Sequence, residues 1–179
     1  MSSGRLFGLC GSLRAASHNR MLMHDAVRAF DPATFEEGDL RLPLYDADLE
    51  EAEGVPAIVQ TIAKQIAAAD AVIIAGPEYN KAISGVLKNA LDWISRADGN
   101  PWLHKPVAIM SATAGRSGGE RAQASMRECL TAFRPHLVLG PAVLVGTSSE
   151  AFENGHLTNE INVKALDGLM AELRRAAGL

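Results

Sequence analysis

A chain of 179 residues, 47% of them apolar and with a mean hydropathy of +0.04, has enough material for one domain, residues 1–179, around a sizeable core. A formal net charge of −4 and a pI near 5.7 argue against nucleic acid or an acidic membrane as partner. Cys10 and Cys129 lie far apart with no C-x-x-C pair, which argues against a disulfide framework or thiolate metal site and makes a reducing cytoplasm the expected location.

In chain order, residues 1–5 lack the apolar core of a secretory signal, and no apolar run reaches membrane-spanning length, so neither leader nor anchor is expected. Residues 6–10 (L-F-G-L-C) form a compact apolar run, read as a first strand, and 11–19 form a polar loop. Leu22, Ala26, Val27 and Phe30 recur at helical spacing over 19–30. Residues 34–40 read as a weak, polar edge strand and 42–54 as a long acidic loop. A helix follows over 56–69, with Ile58, Val59, Ile62 and Ile66 inward and proline in its first turn. The wholly apolar run 71–74 reads as a buried strand. Gly76 and Pro77 break it, Glu78-Tyr79-Asn80 form a polar tip, and a helix follows on Val86, Leu87, Ala90, Leu91 and Ile94 with Ser84 as N-cap. Residues 106–110 read as a fourth strand, 120–133 as a helix, 137–145 as a fifth strand placed at an edge by Pro141, and 162–177 as a closing helix.

Strand and helix thus alternate five times, which implies an α/β fold with a parallel sheet covered on both faces. The two weak strands, second and fifth, fit the edges of a flavodoxin-like three-layer sandwich of strand order 2-1-3-4-5. Its switch point lies between strands one and three, and ligands bind there at the carboxyl edge. The loops at that point are 11–19 and 76–80, the two most distinctive polar loops of the chain.

The first loop offers the hydroxyls of Ser12 and Ser17, the guanidinium of Arg14, the amide of Asn19 and a helix N-terminus directly behind them. Together these make a phosphate cradle; the alternative is an ordinary capped helix, with Ser17 as N-cap and Arg14 a solvated charge. Gly8 and Gly11 do not make G-x-G-x-x-G, and no G-K-[ST] follows, so neither dinucleotide fingerprint nor P-loop is present.

G-S-L-R-A-A-S-H-N (11–19) resembles the G-S-L-R-x-x-S-x-N loop of the NADPH-dependent FMN reductase family, the quinone-, chromate- and azo-reductase-like flavoproteins of the flavodoxin superfamily. P-E-Y-N-K-A-I-S-G-V-L-K-N-A-L-D-W-I-S-R (77–96) resembles that family's second motif, and L-P-L-Y-D-A-D-L-E (42–50) and Gly118-Gly119-x-Arg121 extend the likeness over most of the chain. The resemblance implies FMN as cofactor, NADPH or NADH as co-substrate, and a small-molecule acceptor reduced by a ping-pong mechanism. It implies that Ser12, Arg14, Ser17 and Asn19 hold the FMN phosphate, with backbone contacts from Leu13 and His18. Pro77, Glu78, Tyr79 and Asn80 would line the isoalloxazine ring, and Thr113 would contact it from the fourth strand's loop. Ala82 and Ser84 depart from the family's serine and proline and mark where specificity is first to be sought. A homodimer or homotetramer is implied, although Ala124 and Ala142 stand where some relatives carry Tyr and Glu, which leaves the state open.

Lys81, Arg116 and Arg121 are candidate contacts for the dinucleotide phosphates, or else solvated cations. No constellation suggests a general acid or base, and a flavin enzyme does not require one. Gly115-Arg116-Ser117-Gly118-Gly119 fits G-x-S-x-G, but the histidine and acid of a triad are poorly placed. Asp46, Asp48 and Glu50 start like a calcium loop, yet Glu51 stands where glycine is needed. The five histidines have no metal spacing. The remaining competitor is a flavodoxin-type electron carrier, which would be more acidic and would cradle phosphate without an arginine.

Overall fold

The computed structural model describes residues 3–179, starting with β1 (Arg5–Cys10), α1 (His18–Phe30), β2 (Thr34–Gly38), α2 (Ala47–Glu53), α3 (Ala57–Ala68) and β3 (Ala71–Ala75). Then come α4 (Gly85–Ile94), β4 (Pro106–Ala112), α5 (Glu120–Thr131), β5 (His136–Val145), α6 (Ser148–Ala151), β6 (Phe152–Glu153), β7 (His156–Leu157) and α7 (Glu160–Ala176). The five long strands pair in parallel in the order β2-β1-β3-β4-β5, as alternation and strand polarity predict.

Period-two alternation divides the core. Phe7, Leu9, Val72, Ile74, Val107 and Ile109 face α3, α4 and α5; Leu6, Ile73, Ala108, Met110 and Val143 face α1 and α7. Every residue of β3 is buried, whereas β2 alternates and β5 is largely open, which sets the centre and the edges. Burial of each large aliphatic side chain stabilises the fold by about 1.5–3 kcal/mol, so β1, β3 and β4 form a stiff base for the loops at their carboxyl ends.

Two segments outside the expected strands and helices contain regular structure. The acidic segment 42–54 forms α2, because Asp46 caps it, its Oδ1 accepting from Asp48 N–H at 2.9 Å, and Asp48 and Glu50 suit a helix N-terminus. Arg96 Nε and the Tyr45 hydroxyl both donate to Glu50, which fixes the helix to the end of α4. Between β5 and α7, β6 and β7 form a hairpin around Asn154-Gly155, both at positive φ, a tight-turn pair visible in the sequence. Among the described residues no helix is long and apolar enough to cross a membrane.

Candidate active site

The loops after β1, β3, β4 and β5 enclose a cleft of ≈ 480 Å³ at the carboxyl edge of the sheet. It lies at the switch point, where β1 and β3 diverge to opposite neighbours. A groove of ≈ 470 Å³ runs between α4 and α5 past Leu91, Trp102 and Phe133. Its ammonium, Lys88, is already paired with Asp92, so the convergent free donors belong to the carboxyl-edge cleft.

At one end stands the N-terminus of α1. Ser17 is its N-cap, the hydroxyl oxygen accepting from Arg20 N–H at 3.4 Å. The N–H groups of the first turn have no carbonyl ahead of them in the helix and point toward the cleft end, a setting that favours an anion. Ser12 is buried, with its oxygen accepting from Arg14 N–H at 3.4 Å, and Arg14 is exposed on the wall without a carboxylate partner among the described residues. Behind them Cys10, outside the cleft lining, donates to Ser12 O, and burial pushes its thiol above the usual range, so it stays a neutral packing group at the end of β1.

Asn19 has a different use from its neighbours. Its Nδ2 donates to Ala112 O and its Oδ1 accepts from Ala112 N–H, both at 2.8 Å, and the residue is 4% exposed. The side chain therefore pins the start of α1 to the end of β4, and the cleft receives mainly its backbone. His18 Nδ1 lies 2.9 Å from Ser148 Oγ, and its ring stacks on Phe152 with centroids 5.2 Å apart. The β6–β7 hairpin is thereby tied to the phosphate-type loop, and Ser148 and Ser149 become part of the wall.

The loop after β3 forms the next wall. Ser84 caps α4, accepting from Leu87 N–H at 3.2 Å, and its hydroxyl donates to Gly11 O at 2.7 Å. The two switch-point loops are thus bonded to each other. At the tip, Tyr79 and Ala82 exchange reciprocal backbone hydrogen bonds of 3.1 Å, and Asn80 and Lys81 between them both adopt positive φ. A left-handed non-glycine residue costs about 1–2 kcal/mol, with asparagine the more tolerant of the two. Tyr79, 52% exposed, and Lys81 stand on the cleft wall, while Glu78 accepts from Arg121 N–H and Ala122 N–H at 3.1 Å each. Gly119, the N-cap of α5, has no side chain to cap it, so Glu78 does so from the neighbouring loop.

The third wall is the loop 113–119. Thr113 lines the cleft and its hydroxyl donates to Gly115 O at 3.1 Å. Gly118 and Gly119 have φ of 62° and 91°, and a Cβ on Gly118 would lie 2.5 Å from the backbone carbon of Leu144, so glycine is required there. Behind the loop, Gln123 Nε2 donates to Ser111 Oγ and Val143 O.

Of the residues singled out in the sequence, Ser12, Arg14, Ser17, His18, Asn19, Pro77, Glu78, Tyr79 and Thr113 line this one cleft. Leu13 and Asn80 do not. Leu13 faces a separate surface beside Leu40 and Val86, and Asn80 sits at the turn tip. Ala114, Gly115, Ser117, Ser148 and Ser149 complete the wall and were missed, although the run Gly146-Thr147-Ser148-Ser149, directly after a strand's carboxyl end, carried the signal. A pocket of this volume suits a cofactor of nucleotide size. Its hydroxyls, helix terminus and unpaired guanidinium match a phosphate monoester, and its broad loop walls match a planar ring.

Residues 5–150 match the model of the NADPH-dependent FMN reductase family. The chain belongs to the NADPH-dependent FMN reductase family. It is an oxidoreductase with FMN as cofactor and a nicotinamide dinucleotide as co-substrate. The chain is 38% identical to the NAD(P)H-dependent FMN reductase of Pseudomonas aeruginosa over 97% of each chain. It is 37% identical to the quinone reductase of Escherichia coli over 92% of this chain and 89% of that one. Among solved structures, the flavoenzyme NAD(P)H:(acceptor) oxidoreductase FerB from Paracoccus denitrificans superposes with a TM-score of 0.86 and 30% identity, covering 98% of this reductase and 97% of that chain.

Proposed function

We propose that this chain binds FMN in the carboxyl-edge cleft and uses NAD(P)H to reduce quinones, free flavins, chromate or azo-type acceptors by a ping-pong mechanism. The observation that carries the reading is the Ser84–Gly11 hydrogen bond, which holds a phosphate-type helix terminus and a ring-sized wall in fixed relation around one opening. Ser12, Arg14 and Ser17 would hold the cofactor phosphate, with the first-turn N–H groups of His18 and Asn19. Pro77, Glu78 and Tyr79 would flank the ring, and Thr113 would face it from the opposite wall. When bound, FMN supplies the two-electron chemistry.

The residues of this chain bind, orient and exclude water. Arg14 offsets the phosphate charge, and the Asn19 clamp keeps the α1 terminus aligned with β4. Glu78 holds the ring wall against α5, one carboxylate oxygen, Oε2, accepting from both backbone donors. For a quinone the balance is NAD(P)H plus quinone plus one proton giving NAD(P)⁺ plus hydroquinone. The dinucleotide is oxidised, the quinone is reduced, and solvent provides the proton. A single cleft supports alternating occupation by donor and acceptor.

Initial rates over a grid of NADPH and quinone concentrations test the mechanism. Parallel double-reciprocal lines are expected, and lines that intersect would mean that donor and acceptor bind together, contrary to the proposal.

A further inference from the structure

The ring-loop tip is a two-residue turn, and the same chain builds a second one that serves as its comparison. In the β6–β7 hairpin, the pairs Phe152–Leu157 and Glu153–His156 enclose Asn154 and Gly155, at φ of 52° and 82°. In the ring loop, the Tyr79–Ala82 pair encloses Asn80 and Lys81, at φ of 51° and 68°. Two left-handed central residues make the turn for which Asn-Gly is the favoured pair, and the hairpin uses that pair. The ring loop places a lysine in glycine's position. Asparagine tolerates the left-handed region through local hydrogen bonds and glycine lacks a Cβ, but lysine has neither advantage.

Lys81 is exposed, and among the described residues its ammonium has no carboxylate partner. It is also the cation that lines the cleft on the ring-loop side. Of the three candidates for a dinucleotide contact, Arg116 and Arg121 stand off the cleft wall and Lys81 stands on it. A strained backbone maintained beside a binding cleft points from the outlier to a functional demand on its side chain.

We propose that Lys81 is the cation that holds a phosphate group of the nicotinamide dinucleotide at the mouth of the cleft. The proposal rests on the FMN-site reading above. The ammonium on its flexible stem reaches over the rim beside Tyr79, where a glycine could complete the turn but could contribute no charge.

The test uses the FMN-loaded protein and the oxidised dinucleotides NADP⁺ and NAD⁺, whose binding is measured by calorimetric titration, with thermal unfolding recorded on the same samples. Lys81→Gly is expected to raise the melting temperature by roughly 1–3 °C as strain is relieved. The same change is expected to weaken dinucleotide binding by roughly 3- to 10-fold. Lys81→Gln keeps the strain and loses the charge, so it is expected to weaken binding equally without the gain in stability. Lys81→Arg is expected to retain binding, and added salt to shrink the difference between wild type and Lys81→Gln. Loss confined to NADP⁺ supports the proposal with the 2′-phosphate as ligand, and equal loss for both dinucleotides supports it with the pyrophosphate. Wild-type protein that takes up FMN while Lys81→Gly and Lys81→Gln bind both dinucleotides within twofold of wild type overturns the Lys81 assignment alone. Wild-type protein that takes up no FMN overturns the proposed function and Lys81's role with it.

Discussion

The Ser84 hydroxyl donates to the carbonyl of Gly11 at 2.7 Å, while its oxygen accepts from Leu87 N–H at 3.2 Å. One buried side chain therefore caps α4 and joins the two loops of the switch point. Removing it in Ser84→Ala leaves a buried carbonyl without its donor and a helix without its cap. The expected loss of stability is about 1–3 kcal/mol, read as a lower urea midpoint with an unchanged slope. Ser84 already has φ of −65°, the angle of a proline ring, so Ser84→Pro is expected to recover part of that loss by restricting the unfolded chain. A Ser84→Ala midpoint equal to wild type would show that the loops are held by other means.

Asn19 bonds both backbone groups of Ala112, and its position at the start of α1 aligns the anion-binding terminus with the third wall. Asn19→Ala is expected to cost about 2–3 kcal/mol of stability, because two buried backbone groups lose their partners. Asn19→Asp keeps the acceptor, but it faces the Ala112 carbonyl with a second acceptor and adds a negative charge to the phosphate end. It is expected to lose more FMN affinity than Asn19→Ala loses. Fluorescence titration of the apo-protein with FMN, alongside urea unfolding, checks both.

Arg14 separates binding from folding. It is exposed and carries no carboxylate partner among the described residues, so Arg14→Ala is expected to leave apo-protein stability within about 0.5 kcal/mol of wild type. FMN binding is expected to weaken by about 1.5–3 kcal/mol, the range for a hydrogen bond to a charged group. Unchanged FMN affinity would remove Arg14 from the phosphate end.

Much of this was legible beforehand. The apolar runs of β1, β3 and β4 and the polarity of β2 and β5 prescribe the sheet order, because burial on two faces and burial on one leave different patterns. The long motif loops point to the right edge. What the sequence hid were choices made by tertiary partners. Asn19 resembles a phosphate ligand until Ala112 is brought beside it, and chain order does not show that the Glu78 side chain meets two bare N–H groups of α5. Ser84, expected to mark specificity, is 1% exposed and joins the loops from behind the cleft. Ser148 and Ser149 join the wall through the contacts of His18 with Ser148 and Phe152, which chain order does not show.

Cys10 tests the packing at the end of β1. Burial raises its thiol pKa, so the native state prefers the neutral thiol. That preference contributes stability below the ordinary thiol pKa, and the contribution is lost as pH rises through the higher folded value. Native protein at pH 8 is expected to release one thiol equivalent to a disulfide reagent, from the partly exposed Cys129, and two equivalents in denaturant. Rapid reaction of both thiols in the native protein would mean that the packing at the end of β1 opens.

The most direct test is an anaerobic titration of the FMN-loaded protein with NADPH, followed through the yellow absorbance of the bound flavin. Stoichiometric bleaching that a quinone reverses is expected, with Arg14→Ala protein losing its flavin on gel filtration. A bound flavin that stays yellow in excess NADPH and NADH would contradict it.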